Sequence, residues 1–425
     1  MSSVESTSIA PLHLEKMHQS SESRVLLINI TGHDKTGVTH SLTRVLAEFN
    51  ARILDIGQAV IHDALTLGIL VELSDDMRSC PVMTELLLRA HEVGVQIRFT
   101  AISAEEYQQW VEGQSKRRFL IAILGPDISG THLAAVSGVV ADAGLNIDRI
   151  DRLSGRTPLQ RPTEHNRVCV ELAASGEPID EDRMRAALAH LTEDHDIDIA
   201  FQQDTIYRKN RRLVCFDMDS TLIQTEVIDE LAKLAGVGEQ VQKITESAMR
   251  GELDFQGSFR KRVSLLKGLP ESALDAVRDR VPLMDGAERL ICTLKRLGYK
   301  TAILSGGFSF VGRELQRRLG IDYLYSNELH IDNGVVSGEV VTEIVDGAKK
   351  AEYLRRIAEA EKLSLEQVIA VGDGANDLPM LNIAGLGIAF RAKPLVRKSA
   401  KQALSTLGLD GILYLLGLRD RETLI

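Results

Sequence analysis

Aromatic residues are scarce in this chain of 425 residues, at 4%, so its cores have to be assembled from aliphatic side chains. Cysteine is scarce too. Cys80, Cys169, Cys215 and Cys292 lie far apart with no C-x-x-C spacing, which argues against a zinc site or a disulfide framework and suits a reducing cytoplasm. Cys215, inside an apolar run, reads as a buried strand thiol. No apolar run reaches the roughly 18 residues that a bilayer span requires. Met1 to about Glu22 lacks the charged start and apolar stretch of a signal peptide. The expectation is a soluble, cytoplasmic protein with no membrane partner and an extended or disordered segment over 1–22. A basic field is also missing, since 60 acidic residues face 50 basic ones for a formal net charge of -10; this argues against a nucleic-acid partner. The basic runs Lys116-Arg117-Arg118 and Arg208-Lys209-Asn210-Arg211-Arg212 each precede an apolar run and read as solvated linkers.

What is present is an ordinary globular composition, 44% hydrophobic and 26% charged, at a length that suggests about two to four domains. An imperfect internal repeat comes first. Arg24 to Ile30 reads as a strand followed by Thr31-Gly32-His33-Asp34-Lys35-Thr36-Gly37. Arg118 to Leu124 reads as another, followed by Gly125-Pro126-Asp127-Ile128-Ser129-Gly130. A helical period follows each turn, over Val38 to Phe49 and Thr131 to Ala143, and the later strands and helices complete βαββαβ twice, a ferredoxin-like α+β arrangement. Ser103 to Arg117 is polar and charged and suits a linker.

The G-x-D-x-x-G turn after a strand resembles the ligand turn of ACT domains. The resemblance implies an amino-acid site at Gly32, Asp34 and Gly37 and, less well matched, at Gly125, Asp127 and Gly130, because Pro126 and Ile128 replace His33 and Lys35. Glycines let the chain turn so that helix N-terminal amides face a carboxylate. A second reading stays open, in which Asp34 and Asp127 only cap their helices. ACT resemblance also implies serine or another amino acid as effector, and a homodimer formed by joining sheets. The expected division is 23–103 and 118–206 for the two ACT domains, 104–117 for the linker, and 207–425 for a third domain.

From Arg212 the pattern becomes alternating buried strands and helices. Leu213 to Phe216, Thr301 to Leu304 and Val368 to Val371 each end in a polar or glycine-rich turn, which predicts a doubly wound, Rossmann-like parallel sheet. Ligands of such sheets bind beyond the carboxyl ends of the strands. There stand Asp217-Met218-Asp219-Ser220-Thr221, Ser305-Gly306-Gly307 and Gly372-Asp373-Gly374-Ala375-Asn376-Asp377, with Lys350 between the last two. Four elements in this order resemble the haloacid dehalogenase superfamily of phosphohydrolases.

The resemblance implies Asp217 as nucleophile and Asp219 as general acid and base. Ser305, Gly306 and Lys350 would hold the phosphoryl group, with Gly307 and Asn376 beside the substrate. Mg²⁺ would be held by Asp217, Asp373, the Asp219 carbonyl and, directly or through a neighbour, Asp377. Lys349 is the rival to Lys350, and Asn376 has the alternative of a helix cap.

The insert from Ile223 to about Pro282 has helical character and implies a cap over the site. Glu226 to Ala232, Ile244 to Met249 and Phe259 to Lys267 resemble the phosphoserine phosphatase branch of that superfamily. This implies O-phospho-L-serine as substrate: Glu226 for its ammonium, Arg262 for its carboxylate, and Met249 and Phe255 as an apolar wall. The competing reading pairs Glu226 with a lysine on its helix and leaves Arg262 as a surface cation, and Arg260 is the competing arginine. Other functions kept open are a phosphatase for another small phosphate or for phosphoprotein, and an amino-acid sensor with weak phosphatase activity.

Overall fold

The computed structural model describes residues 25–73, 79–156, 166–250, 252–341 and 343–423; the segment 1–22 lies outside them. The chain forms two compact units that divide between Lys116 and Arg117.

In the first unit, β1 (Val25–His33), α1 (Val38–Glu48), β2 (Arg52–Ile61), β3 (Ala64–Glu72), α2 (Ser79–Val93) and β4 (Val95–Ile102) build an antiparallel sheet of order β2-β3-β1-β4. Side chains alternate along β1, so Leu26, Ile28 and Ile30 enter a core with Leu42, Leu46 and Leu86, while Leu27 and Asn29 face the other way. Gly32 pairs with Val95 on β4, where a Cβ would stand 2.9 Å from the Val95 side chain, so only glycine lets the strands meet. The stretch read as a linker carries a helix, α3 (Ala104–Glu112), started by a capping box in which Ser103 and Glu106 exchange hydrogen bonds.

The second unit begins with the repeat: β5 (Arg118–Gly125), α4 (Gly130–Asp142), β6 (Asn146–Arg152), β7 (Val168–Ser175), α5 (Glu181–Asp194) and β8 (Asp198–Gln203), in the order β6-β7-β5-β8. Next come β9 (Leu213–Phe216) and four helices of the insert, α6 (Val227–Leu234), α7 (Gly238–Met249), α8 (Phe255–Ser264) and α9 (Glu271–Arg278). The chain continues through α10 (Ala287–Arg296), β10 (Lys300–Phe308), α11 (Ser309–Leu319), β11 (Tyr323–Asn327) and a hairpin of β12 (Leu329–Asp332) and β13 (Val335–Val340). It closes with α12 (Gly347–Ala360), β14 (Val368–Gly372), α13 (Leu378–Ile383), β15 (Leu386–Phe390), α14 (Pro394–Ser399), β16 (Gln402–Leu404) and short terminal helices.

The six strands β11-β10-β9-β14-β15-β16 run parallel. From β9 the chain first winds to one side and then returns to the other, so the strand order reverses between β9 and β14 and leaves a crevice at their carboxyl ends. Residues of β9 are buried on both faces, as expected when helices cover both sides of a parallel sheet. The insert helices leave and rejoin the core through an Ile223–Leu283 bridge and a hydrogen bond from the Gln224 amide to the Pro282 carbonyl.

The two parts that the sequence reading divides at 206/207 share one core. Ala122, Leu124, Cys169 and Ala200, on the face of the repeat away from its helices, pack in the same cluster as Phe216, Leu404 and Leu413. Polar groups fasten the seam. Gln402 accepts from the Phe201 amide at 3.0 Å and donates to the Phe201 carbonyl at 2.6 Å, so a side chain completes the pairing of β8. Asp198 accepts from the Ser405 and Thr406 amides at 2.7 Å each. Buried backbone groups left without partners cost about 1–3 kcal/mol. Gln402→Ala should therefore lower the unfolding free energy of the second unit by about 2 kcal/mol, seen as a lower urea midpoint with an unchanged m-value.

Candidate active site

Asp217 follows the last residue of β9, and its amide donates to the Val371 carbonyl of β14 at 2.9 Å, so the carboxylate is held at the mouth of the crevice. The loop then tightens: the Leu222 and Ile223 amides both donate to the Met218 carbonyl, and Ser220 adopts a left-handed conformation with φ 56°. A non-glycine residue there marks a backbone held by its surroundings. The Ser220 hydroxyl donates to Glu226 Oε1 at 2.9 Å, tying the motif loop to the start of α6. Thr221, fully buried, donates to Asp373 Oδ1 at 3.4 Å. Neither hydroxyl was singled out in the sequence; their only signal was their place beside the two aspartates.

Lys350 sits at the start of α12 and is completely buried. Its ammonium lies 2.7 Å from Asp217 Oδ1 and 2.7 Å from Asp377 Oδ1. Burial pulls its pKa down, but the two carboxylates outweigh that and raise it, so it stays charged. Lys349 points elsewhere, pairing with Glu343 and Glu352 at 3.1 and 3.0 Å.

Asp377 is fully buried, with Oδ1 on Lys350 and Oδ2 accepting from the Gly374 amide at 2.9 Å. Gly372 has no room for a Cβ beside the Asp377 carboxylate, and Gly374 has none beside the Asn376 side chain. Asn376 caps no helix: Asp377 holds the N-cap position of α13 and itself makes no side-chain cap.

Carboxylate oxygens of Asp217, Asp373 and Asp377 come within 4.8 Å of one another. Burial and the neighbouring carboxylates push the Asp373 carboxyl up to about 8, and Asp377 is raised for the same reasons. An acidic cluster that resists ionisation by itself, and offers only hard oxygen donors, fits a hard divalent cation. The Asp219 side chain is not part of the cluster.

Asp219 is buried instead against the glycines of β10. A Cβ on Gly307 would lie 2.5 Å from Asp219 Oδ2 and 2.8 Å from Met218 Cε. Among the described residues its Oδ1 is buried without a hydrogen-bond partner. Burial, then Glu226 and Asp217, raise its pKa well above the usual carboxylate range. Ser305, fully buried, accepts from the Gly307 amide at 2.9 Å, which curls the strand end into a loop.

Asn327, at the end of β11, fastens this loop: its amide donates to the Gly306 carbonyl at 2.7 Å, and its oxygen accepts from the Val345 amide at 2.9 Å. It was not foreseen, because its partners lie 21 and 18 residues away.

The insert closes over these groups through α8. A Cβ on Gly306 would stand 2.9 Å from the Phe255 ring. Phe255, Phe259 and Phe308 make a run of ring contacts at 6.2 and 5.8 Å down to β10. Next to Phe255, Gln256 donates to Asp346 at 2.8 Å, and Asp346 caps α12 through the Lys349 amide. Glu226 opens to the cleft yet is walled by protein elsewhere, and burial raises its pKa.

On α8, Arg260 is exposed, whereas the Arg262 Nε is buried without a partner among the described residues. Burial lowers the Arg262 pKa, and Glu226, Asp229 and Asp219 partly offset this. Met249 ends α7, and its side chain lies outside the described residues.

The turns of the two repeats have another construction. Gly37 is the left-handed N-cap of α1, at φ 93°, and no side chain caps that helix. In α4, Ser129 and His132 form the capping box. The capping alternative for Asp34 and Asp127 is thereby corrected: a glycine conformation and a serine do that work, and both aspartates are exposed.

A family model for haloacid dehalogenase-like hydrolases matches residues 211–385, and ACT-domain models match residues 24–100 and 118–202. Fold and site thus define a hydrolase of the haloacid dehalogenase class that carries two ACT domains. A phosphoserine phosphatase of Streptomyces coelicolor is 40% identical over 412 residues, 95% of each chain. One from Mycobacterium tuberculosis is 40% identical over 398 residues, 93% of this chain and 94% of its own. The crystal structure of a probable phosphoserine phosphatase from Vibrio cholerae superimposes with TM-score 0.55 at 35% identity, over 72% of this chain and 87% of that one. This chain belongs to the phosphoserine phosphatase family.

Lys350→Met should leave Asp217 and Asp377 buried without their cation, which costs about 3–5 kcal/mol. The sign follows from the carboxylates. Asp377 and the neighbouring Asp373 have folded pKa values above the unfolded value, so their burden is absent at low pH and grows as pH rises through the folded values. Urea unfolding should therefore show a larger deficit at about pH 8 than at about pH 5.

Proposed function

We propose that this protein hydrolyses O-phospho-L-serine to L-serine and phosphate through an aspartyl-phosphate on Asp217. The observation that carries the reading is the pair of opposite charges above Asp217. Glu226 lines the cleft, and Arg262 brings a buried guanidinium nitrogen with no partner. A buried donor without an acceptor is costly, and a substrate carboxylate removes that cost with a planar, bidentate fit. Glu226 then receives the ammonium three bonds away in the same small molecule.

In the first half-reaction an Asp217 oxygen bonds to phosphorus as the phosphorus–oxygen bond to serine breaks. Asp219 gives its proton to the departing serine oxygen. Its raised pKa keeps that proton available near neutral pH, and its unpartnered Oδ1 is free to present it.

In the second, Asp219, now ionised, takes a proton from water as the water oxygen attacks phosphorus. Phosphate leaves, and the Asp217 carboxylate is restored. Lys350 neutralises Asp217 and faces the transferred group, while Ser305 and Gly306 hold its oxygens. Asp217, Asp373 and the Asp219 carbonyl would hold Mg²⁺, with Asp377 completing the acidic set, and the bound ion supplies the positive charge that lets an anionic nucleophile approach a phosphate dianion. Phe255 forms an apolar wall, Gly307 and Asn376 flank the substrate, and the insert excludes water while the phosphoenzyme exists.

The ACT domains support a regulatory reading, in which serine or another amino acid binds the turns at Gly32, Asp34 and Gly37 and at Gly125, Asp127 and Gly130. A homodimer built by joining sheets belongs to the same proposal. Among the described residues no helix is long and apolar enough to cross a membrane.

Substrate preference tests the reading. Phosphoethanolamine keeps the phosphate and ammonium but lacks the carboxylate, so kcat/KM should fall by at least about 100-fold relative to phosphoserine. In Arg262→Ala that difference should collapse, because activity on phosphoserine drops to the level of the smaller compound. Equal turnover of the two by the unaltered enzyme would point to another phosphate ester.

A further inference from the structure

The sheet of the first unit has two faces, and only one is filled by α1 and α2. On the other, a cavity of about 430 Å³ lies between the sheet and α3. Its volume is in the range of small-molecule sites.

Two glycines, Gly57 on β2 and Gly68 on β3, stand directly opposite each other in its floor. Neither has a positive φ. A Cβ at Gly57 would meet nothing within 4 Å, and at Gly68 nothing nearer than 3.8 Å. Neither backbone conformation nor packing within this unit therefore demands glycine at these positions. What the pair does is keep the floor of the cavity empty, as glycines do in strands where a ligand approaches the backbone closely.

The rest of the lining has one consistent chemistry. Leu27, Leu70 and Ile102 form apolar walls, and Tyr107 and Trp110 of α3 form a roof whose rings lie 5.9 Å apart. The charged side chains of the lining are Asp55 and Glu106, both acidic. Asp55 Oδ1 accepts from the neighbouring Ile56 amide. Arg98 shares this face of the sheet, one residue pair further along β4 beside Asn29, and is outside the lining.

The corresponding face of the second repeat is occupied: Ala122 and Leu124 of β5 are buried under the parallel-sheet core. The first repeat instead keeps a roofed, empty space.

We propose that this cavity is a binding site for a small, flat, largely apolar molecule carrying one ammonium group. The ring would lie on Gly57 and Gly68 beneath Trp110, and the ammonium would meet Asp55 and Glu106 with help from the aromatic roof. The site is separate from the turn at Gly32 to Gly37, which lies beyond the end of the β1 face that the cavity uses.

Trp110 is the only tryptophan of the chain, so its emission reports on this cavity alone. The full-length protein should be titrated with 2-phenylethylamine, 2-phenylethanol and 3-phenylpropanoate. The amine should give a saturable change in Trp110 emission, with an affinity at least about tenfold above that of the acid. Gly57→Val, whose side chain would project into the floor, should abolish the response while leaving the far-UV circular dichroism spectrum unchanged. Asp55→Asn, which keeps the shape of the site, should remove the preference for the amine over the alcohol. No saturable change with any probe, an equal response to all three, or a response retained in both variants would overturn the proposal. So would emission that shifts with protein concentration in the absence of probe, because a second copy of the chain would then occupy the face.

Discussion

The site depends on one buried cation. Lys350 is withdrawn from water and placed 2.7 Å from each of two carboxylates, Asp217 and Asp377. Without it, Asp217, Asp373 and Asp377 would repel one another inside a dry crevice, and protonation would be the cheapest relief. With it, the negative charge of Asp217 is balanced within the protein itself. The structure spends several features on holding that ammonium: Asp346 caps α12, Gly372 lets Asp377 approach, and the Gly374 amide fixes the far oxygen of Asp377.

Opposite environments then set two aspartates apart. Asp217 faces Lys350, whereas Asp219 lies against Gly307 of β10 with Oδ1 unpartnered among the described residues, and burial raises its pKa. Two carboxyls of the same type thus stand in different surroundings, as the roles proposed for them require. Phe255, Gln256 and Arg262 all lie on α8. Its contacts reach Gly306, next to Ser305, and Asp346, which caps the helix carrying Lys350.

Much of this was legible in the sequence because it is written locally. Asp217 and Asp373 directly follow apolar strands, and Ser305 follows an apolar run within its strand, so each motif is confined to a few residues. What was not legible depends on residues distant in the chain. Asn327 looks like an ordinary polar residue until the fold places Gly306 and Val345 on either side of it. Gln402 completes the pairing of a strand 201 residues away. The α3 helix was hidden by its composition: its charged face dominates, and only the Ser103 and Glu106 spacing announced its start. Asp34 and Asp127 were plausible caps by type, but the left-handed Gly37 and the nearby Ser129 made them unnecessary.

The central claim, covalent catalysis by Asp217 with Asp219 as its proton carrier, is most directly tested by rapid quenching. Enzyme mixed with phosphate-labelled phosphoserine and quenched in acid within the first turnover should carry label on the peptide containing Asp217. The Asp217→Asn variant should carry none and release no serine. Full turnover without any enzyme-bound phosphate, or label on a residue other than Asp217, would contradict the account.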